Sequence, residues 1–304
     1  VRVFESFPFA VKVSRKGATA PGNDTWSRYE AEPLPFRLPD KISKTPPLII
    51  GHRGASALAP ENTLAAFKRA LEDGAAGVEL DVRLARDSVP VVIHDANVRR
   101  TGLREGVVAK MTSSELGQTD VGSWFNSSYP RLARAEYSRQ VVPTLDQVFD
   151  LFKTRSTRSA LIYVEMKTDG EETNPVELAA GVVQLVNDRD LRSRVVVVSF
   201  DFKALAQIKK IDSAIATGAL FEPRRNPVKT IRKHPIISAA LECGADQILL
   251  HHLIARRRLV DLATRNNLLP IVWTVDDLKW NRRATSFGIH ALITNHPGLM
   301  IASL

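Results

Sequence analysis

The sequence predicts an α/β chain folded as a distorted (β/α)8 barrel of the TIM type, with a β-hairpin irregularity after the second strand and an inserted cap segment. Three observations predict it. From residue 47 onward, short apolar runs of strand length alternate with amphipathic stretches of helical period, the pattern of a parallel sheet covered by helices. Nine such runs occur, and one adjacent pair is spaced too closely for a parallel crossover, which leaves eight for a closed barrel. The 304 residues also exceed the roughly 250 that such a barrel takes.

Residues 1–46 stand apart as an extended N-terminal arm or linker: apolar residues thin out after Val13, and Pro21, Pro33, Pro35, Pro39 and Pro46 interrupt regular structure. The barrel domain is expected over 47–304. Its first strand is Leu48-Ile49-Ile50, broken by Gly51, and its first helix starts at an N-cap on Asn62 or Thr63, carries Leu64, Phe67 and Leu71 on one face and stops at Gly74. Further strands are expected at Val78–Leu84, Val89–Ile93, Leu161–Met166, Val195–Phe200, Ile215–Leu220, Gln247–Leu250, Pro270–Val275 and Ala291–Thr294, with helices such as Pro175–Asn187 and Leu259–Asn266 between them. The hairpin joins Val78–Leu84 to Val89–Ile93. A turn centred near Asp87 sets Asp81 opposite Ile93 and Glu79 opposite Asp95, bringing His94 beside both carboxylates. The stretch of about 95–142 shows no clear strand or long helix, only capping boxes at Thr112/Glu115 and Thr144/Gln147, and reads as an insertion.

Composition narrows the function. At 44% hydrophobic and 25% charged the chain is globular in type, and no apolar run approaches a membrane span. The net charge of +9 is scattered, with Arg256-Arg257-Arg258 as the one tight cluster, read as a solvated helix face. No nucleic-acid partner is therefore expected. Such a positive field suits a phosphate ester, or peripheral contact with anionic lipid. Cys243, the single cysteine, permits no internal disulfide and is expected to be buried and inert. The chain begins at Val1 with no signal-like segment in view, so localisation stays open. An extracytoplasmic or membrane-associated site follows if a signal was trimmed, and a cytoplasmic one otherwise.

The chemistry concentrates at strand ends. Glu79 and Asp81, two apart on one strand, leave by the same face, and Glu165 precedes Met166-Lys167 with the same geometry. Three inward carboxylates form an all-oxygen set suited to one divalent cation, Mg2+ or Ca2+, rather than zinc. The alternative is a buried ionic network with Arg53, Arg83 and Lys167. His52-Arg53 ends the first strand and His94-Asp95 follows the hairpin.

In this order, His52-Arg53-Gly54, Pro60-Glu61-Asn62-Thr63, Glu79-Leu80-Asp81 and His94-Asp95 resemble the glycerophosphodiester phosphodiesterase family over about residues 47–298. The resemblance implies metal-dependent hydrolysis of a glycerophosphodiester to glycerol 3-phosphate and an alcohol, within glycerol and lipid metabolism. It pairs His52 and His94 as base and acid, His52 being preferred as base. Arg53 and Lys167 then clamp the phosphate. The likeness also places Glu61, Asn62 and Trp273 against the substrate, and makes Trp124, Phe125 and Tyr129 of the insertion candidates for the rim of the mouth, against a satellite core as the alternative. It leaves open whether a glycerol hydroxyl or water attacks. His251-His252, Asp276-Asp277 and Asn295-His296-Pro297 are set aside as caps and turns. The sequence departs from the family at Arg100-Thr101-Gly102, where two threonines often precede the glycine. Rival readings are a lysophospholipase D-like or phosphoinositide-cleaving enzyme acting on a lysolipid, and a catalytically silent phosphate-binding module; the oligomeric state is unknown.

Overall fold

The computed structural model describes residues 45–304 apart from 155–156, 171–172 and 224–234. The expected N-terminal arm lies, but for its last two residues, outside the described residues. Nine strands follow: β1 (Leu48–His52), β2 (Gly77–Leu84), β3 (Pro90–Val92), β4 (Leu161–Met166), β5 (Val195–Ser199), β6 (Ala216–Phe221), β7 (Gln247–His251), β8 (Leu269–Trp273) and β9 (Ala291–Thr294). All but β3 pair in parallel, in the order β1-β9-β8-β7-β6-β5-β4-β2, and β1 pairs with β2 to close an eight-stranded barrel. Ile50, Tyr163, Val196, Val198, Leu249, Ile271 and Ile293 fill its interior. The outer strand faces pack against helices that include Leu64–Glu72, Pro175–Asp188 and Arg257–Arg265. Burial on both faces explains why runs such as Val195–Val198 are continuously apolar rather than alternating. Among the described residues no helix is long and apolar enough to cross a membrane. Cys243 is buried, and Arg256, Arg257 and Arg258 are exposed.

The hairpin has the expected register: Val82 pairs with Val92 and Leu84 with Pro90, and the Ile93 amide donates to the Asp81 carbonyl at 2.9 Å. It does not continue to Glu79 and Asp95. Below Asp81 that edge of β2 is already taken by β1, which sets His52 beside Glu79, while β4 occupies the other edge and sets Glu165 beside Asp81. Asp95 has no strand edge left to join and turns outward.

Both capping boxes form, at Thr112/Glu115 and Thr144/Gln147. The insertion is a set of short helical turns on two small cores. One joins Val98, Val108, Met111, Leu116, Val121 and Val142 to hairpin residues Val91 and Ile93. The other seats Phe125 and Tyr137 on Ala59 and Ala66, with the Tyr137 hydroxyl donating to the Leu58 carbonyl at 3.0 Å. Of the two readings of the insertion aromatics, rim of the mouth or satellite core, the packing is that of a satellite core. Phe125 is buried, the Trp124 indole donates to the Val121 carbonyl, and the exposed Tyr129 ring lies 4.8 Å from that of Phe125.

The turn after β1 depends on Gly54. Its φ is +82°, and a Cβ there would lie 2.5 Å from the backbone carbon of Ala66 in the first helix. Gly54→Ala is expected to cost roughly 3 kcal/mol from overpacking and left-handed strain together, read from urea unfolding. A loss below about 1 kcal/mol would mean that the helix can retreat from the loop.

Candidate active site

Strand register assembles the acids. Glu79 and Asp81 point into the barrel from β2, and Glu165 joins them from β4, level with Asp81. One oxygen from each lies within 4.8 Å of the others, and the three residues are 3%, 0% and 8% exposed. At that separation, with an effective dielectric of about 20, each like-charged pair repels by roughly 3 kcal/mol. Two cations answer part of this. Lys167 Nζ lies 3.0 Å from Asp81 Oδ1 and 2.5 Å from Glu165 Oε1, and Arg53 Nε lies 3.1 Å from Asp81 Oδ2. Arg83, the third cation expected in such a network, instead turns to the His94 and Asp169 carbonyls and the Asp169 carboxylate.

The compensation is uneven. Burial alone would raise the Asp81 carboxyl, but Lys167 and Arg53 outweigh it and hold Asp81 well below the usual range. Glu79 goes the other way: burial, then Asp81 and Glu165, push its pKa well above that of an ordinary glutamate, against Arg53 and an amide bond from Arg53 N at 3.0 Å. Counted as ionised, three carboxylates against two cations leave one negative charge, with an oxygen of each acid within reach of one ion. These donors fit a hard divalent cation. Such an ion would change the local sum from −1 to +1, the sign a phosphodiester anion needs.

The two imidazoles flank this cluster. His52 Nε2 lies 3.9 Å from Glu79 Oε2, and its Nδ1 lies 2.7 Å from Asn295 Oδ1. The amide of Asn295 is oriented by Asp276, which accepts from Asn295 Nδ2 at 2.7 Å and from Asn295 N at 2.9 Å, and Ser56 donates to the same Asn295 Oδ1. Oδ1 can only accept, so His52 carries its proton on Nδ1 and turns the Nε2 lone pair toward the acids. Burial and the Arg53 charge lower the His52 pKa to about 4. His94 Nδ1 lies 2.6 Å from a carboxylate oxygen of Asp95; burial, with Lys167 and Arg53, lowers its pKa against the opposing pull of Asp81 and Asp95.

Together His52, Arg53, Glu79, His94, Glu165, Lys167 and Trp273 line one cavity at the C-terminal end of the barrel, with Val198, Phe200, Leu220 and Leu249 as its apolar wall. Its empty volume, open mouth included, is about 590 Å³, a size suited to a small molecule. Trp273 is held edge-to-face on Phe200, its indole donating to the Leu249 carbonyl. Glu61 and Asn62, expected against substrate, are not among the cavity-lining residues and bond to groups beside the cavity. Glu61 accepts from Arg53 at 2.8 Å and from both terminal nitrogens of Arg100. Asn62, at φ +56°, donates to Asp81 Oδ2 at 2.7 Å and accepts from its amide. Thr63, not Asn62, caps the helix. Asn295 and Asp276, set aside as turn residues, are the ones that orient His52. The signal for them was closure of the barrel: pairing of β9 with β1 puts Thr294 level with Gly51 and Asn295 next to His52.

Glu79 predicts a pH and cation dependence of stability. Its folded pKa lies above its unfolded one, so its contribution is fully present below about pH 4.3 and is lost as pH rises through the raised value. In EDTA, the melting temperature is expected to decline as pH rises above that range, and Glu79→Gln to flatten the decline. Added Mg2+ or Ca2+ should restore it, by about 2.7 kcal/mol at a hundredfold excess over Kd. Melting curves that ignore both pH and cation would rule out a cation site.

Comparison with known proteins agrees with the geometry. Residues 52–299 match the model of the glycerophosphoryl diester phosphodiesterase family. The chain is 30% identical to a glycerophosphodiester phosphodiesterase of Caldanaerobacter subterraneus subsp. tengcongensis, covering 84% of this chain and 96% of that protein. With one from Bacillus subtilis it shares 28% identity over 86% of each. Among solved structures, a phosphodiesterase of Oleispira antarctica in complex with the product sn-glycerol-3-phosphate superposes with a TM-score of 0.71 at 25% identity, over 85% of this chain and 96% of that one. The glycerophosphodiester phosphodiesterase of Agrobacterium tumefaciens gives 0.67 at 26% identity, over 84% and 99%. With the barrel, the acidic triad and these relatives in agreement, the chain belongs to the glycerophosphoryl diester phosphodiesterase family and is a phosphodiester hydrolase.

Proposed function

We propose that this enzyme hydrolyses a glycerophosphodiester to glycerol 3-phosphate and an alcohol, with His52 as general base and His94 as general acid. The observation that carries the assignment is the different backing of the two imidazoles. His52 leans on a neutral amide, which fixes its tautomer without stabilising positive charge, so it stays unprotonated and able to accept a proton at Nε2. His94 leans on the Asp95 carboxylate, which supports an imidazolium able to donate one.

Glu79, Asp81 and Glu165 would hold the divalent cation, Mg2+ or Ca2+, which when bound supplies charge neutralisation and polarisation of a phosphoryl oxygen. Arg53 and Lys167 line the same cavity and supply the remaining positive charge for the phosphate as negative charge grows on its oxygens. The base takes a proton from the attacking oxygen, either a glycerol hydroxyl or water, and the acid returns one to the departing alcohol oxygen. Atoms balance by either route, because water enters once in total. Product binding in the Oleispira antarctica relative supports glycerol 3-phosphate as the half retained. The insertion aromatics that an acyl chain would need are packed into a satellite core, which favours a water-soluble diester over a lysolipid. The catalytically silent reading loses ground because both imidazoles line one cavity with Glu79 and Glu165 of the acidic cluster.

His52→Ala is expected to lower glycerol 3-phosphate release from glycerophosphodiesters by about 10²–10⁴-fold, and EDTA to abolish it in the parent. The acid limb of kcat/KM, set by His52, should lie near pH 4 rather than near 6.5, because burial disfavours the imidazolium. Full activity retained in His52→Ala would overturn the assignment.

A further inference from the structure

Arg100 belongs to the insertion and does not line the cavity, yet it connects two of the groups that do. Its Nε donates to Asp95 Oδ2 at 2.7 Å, and its two terminal nitrogens donate to the two oxygens of Glu61 at 2.8 and 2.7 Å. Asp95 in turn holds His94, and Glu61 accepts from Arg53 Nη1 at 2.8 Å. A continuous chain thus runs from the His94 imidazole through Asp95, Arg100 and Glu61 to the Arg53 guanidinium.

We infer that Arg100 is a positioning residue for the reaction: its planar fork ties the orientation of the His94 ring to that of Arg53, so that proton donor and phosphate clamp are held in one fixed relation. This rests on the acid role given to His94 above. Three features argue for positioning rather than for structural support. Arg100 is 44% exposed on its side chain, so it is no part of the buried core. The turn that carries it is anchored independently by buried Val98 and Thr101. Its three hydrogen bonds to Asp95 and Glu61 go to carboxylates that themselves hold a cavity-lining cation or imidazole, the one to Glu61 bidentate, a geometry lysine cannot reproduce.

The test combines kinetics with a spectroscopic readout. For Arg100→Ala, kcat on a glycerophosphodiester is expected to fall about 10- to 100-fold, the range met when a group orienting a reacting side chain is lost, with KM within about threefold and the melting temperature within about 4 °C of the parent. Guanidinium ion at concentrations far below denaturing should restore part of that loss, and Arg100→Lys should recover less than the full rate. In a double-mutant cycle, Asp95→Asn with Arg100→Ala should cost little more than the worse single variant. Independently of any activity, the downfield proton signal of His94 Nδ1–H, assigned by its loss in His94→Gln, should broaden or vanish in Arg100→Ala. An unchanged signal, or additive losses without guanidinium rescue, would overturn the inference. If the parent releases no glycerol 3-phosphate, the proposed function falls, and the His94 signal still decides whether Arg100 positions the ring.

Discussion

Three carboxylates converging within a few ångströms in the mouth of a barrel are the constraint to which the surrounding structure answers. Burying charges of one sign together is costly unless opposite charge sits beside them. Lys167 follows Glu165 by two residues on the same face, and Arg53 is delivered by the turn after β1; both reach Asp81. Asn62 adopts a left-handed backbone to bond that same carboxylate. The polar groups next to Asp81 are thus committed to it, while Glu79 is left raised and short of positive charge. That imbalance suits the cluster to a divalent cation.

The two imidazoles differ in what stands behind them, an amide for His52 and a carboxylate for His94. A histidine backed by an amide has a set tautomer and a low affinity for a second proton. Backed by a carboxylate, it holds that proton better. Asn295 and Asp95 make this distinction on opposite sides of the same acids, and each is steadied in turn, Asn295 by Asp276 and Asp95 by Arg100. The hydrogen-bond network behind the imidazoles thus extends two residues deep.

The insertion contributes less as a cover than as a brace. It is fastened to the first βα loop through Tyr137 and Leu58, and through Gln140, whose side-chain oxygen accepts from the Ala65 amide. Its aromatics serve that attachment, and its polar contribution to the site arrives through Arg100. The bonded chain from His94 to Arg53 therefore passes through a segment that places none of its aromatics among the cavity-lining residues.

Much of this was legible in the sequence because it is local. Alternating apolar runs determined the strands and helices, and the short spacing between β2 and β3 determined a hairpin with its register about Asp87. Two-residue spacing put Glu79 with Asp81, and Glu165 with Lys167, on shared faces. What only the tertiary structure decided are relations across strands. Whether Asp95 could pair beside Glu79 depended on β1 having claimed that edge; whether Asn295 mattered depended on closure of β9 onto β1. The fates of Glu61 and Asn62 depended on which carboxylates and cations lay within reach once the barrel formed. Periodicity reports the face a side chain leaves by, because backbone geometry sets it residue by residue, whereas the partner it meets is set by register and closure between segments that share no local pattern.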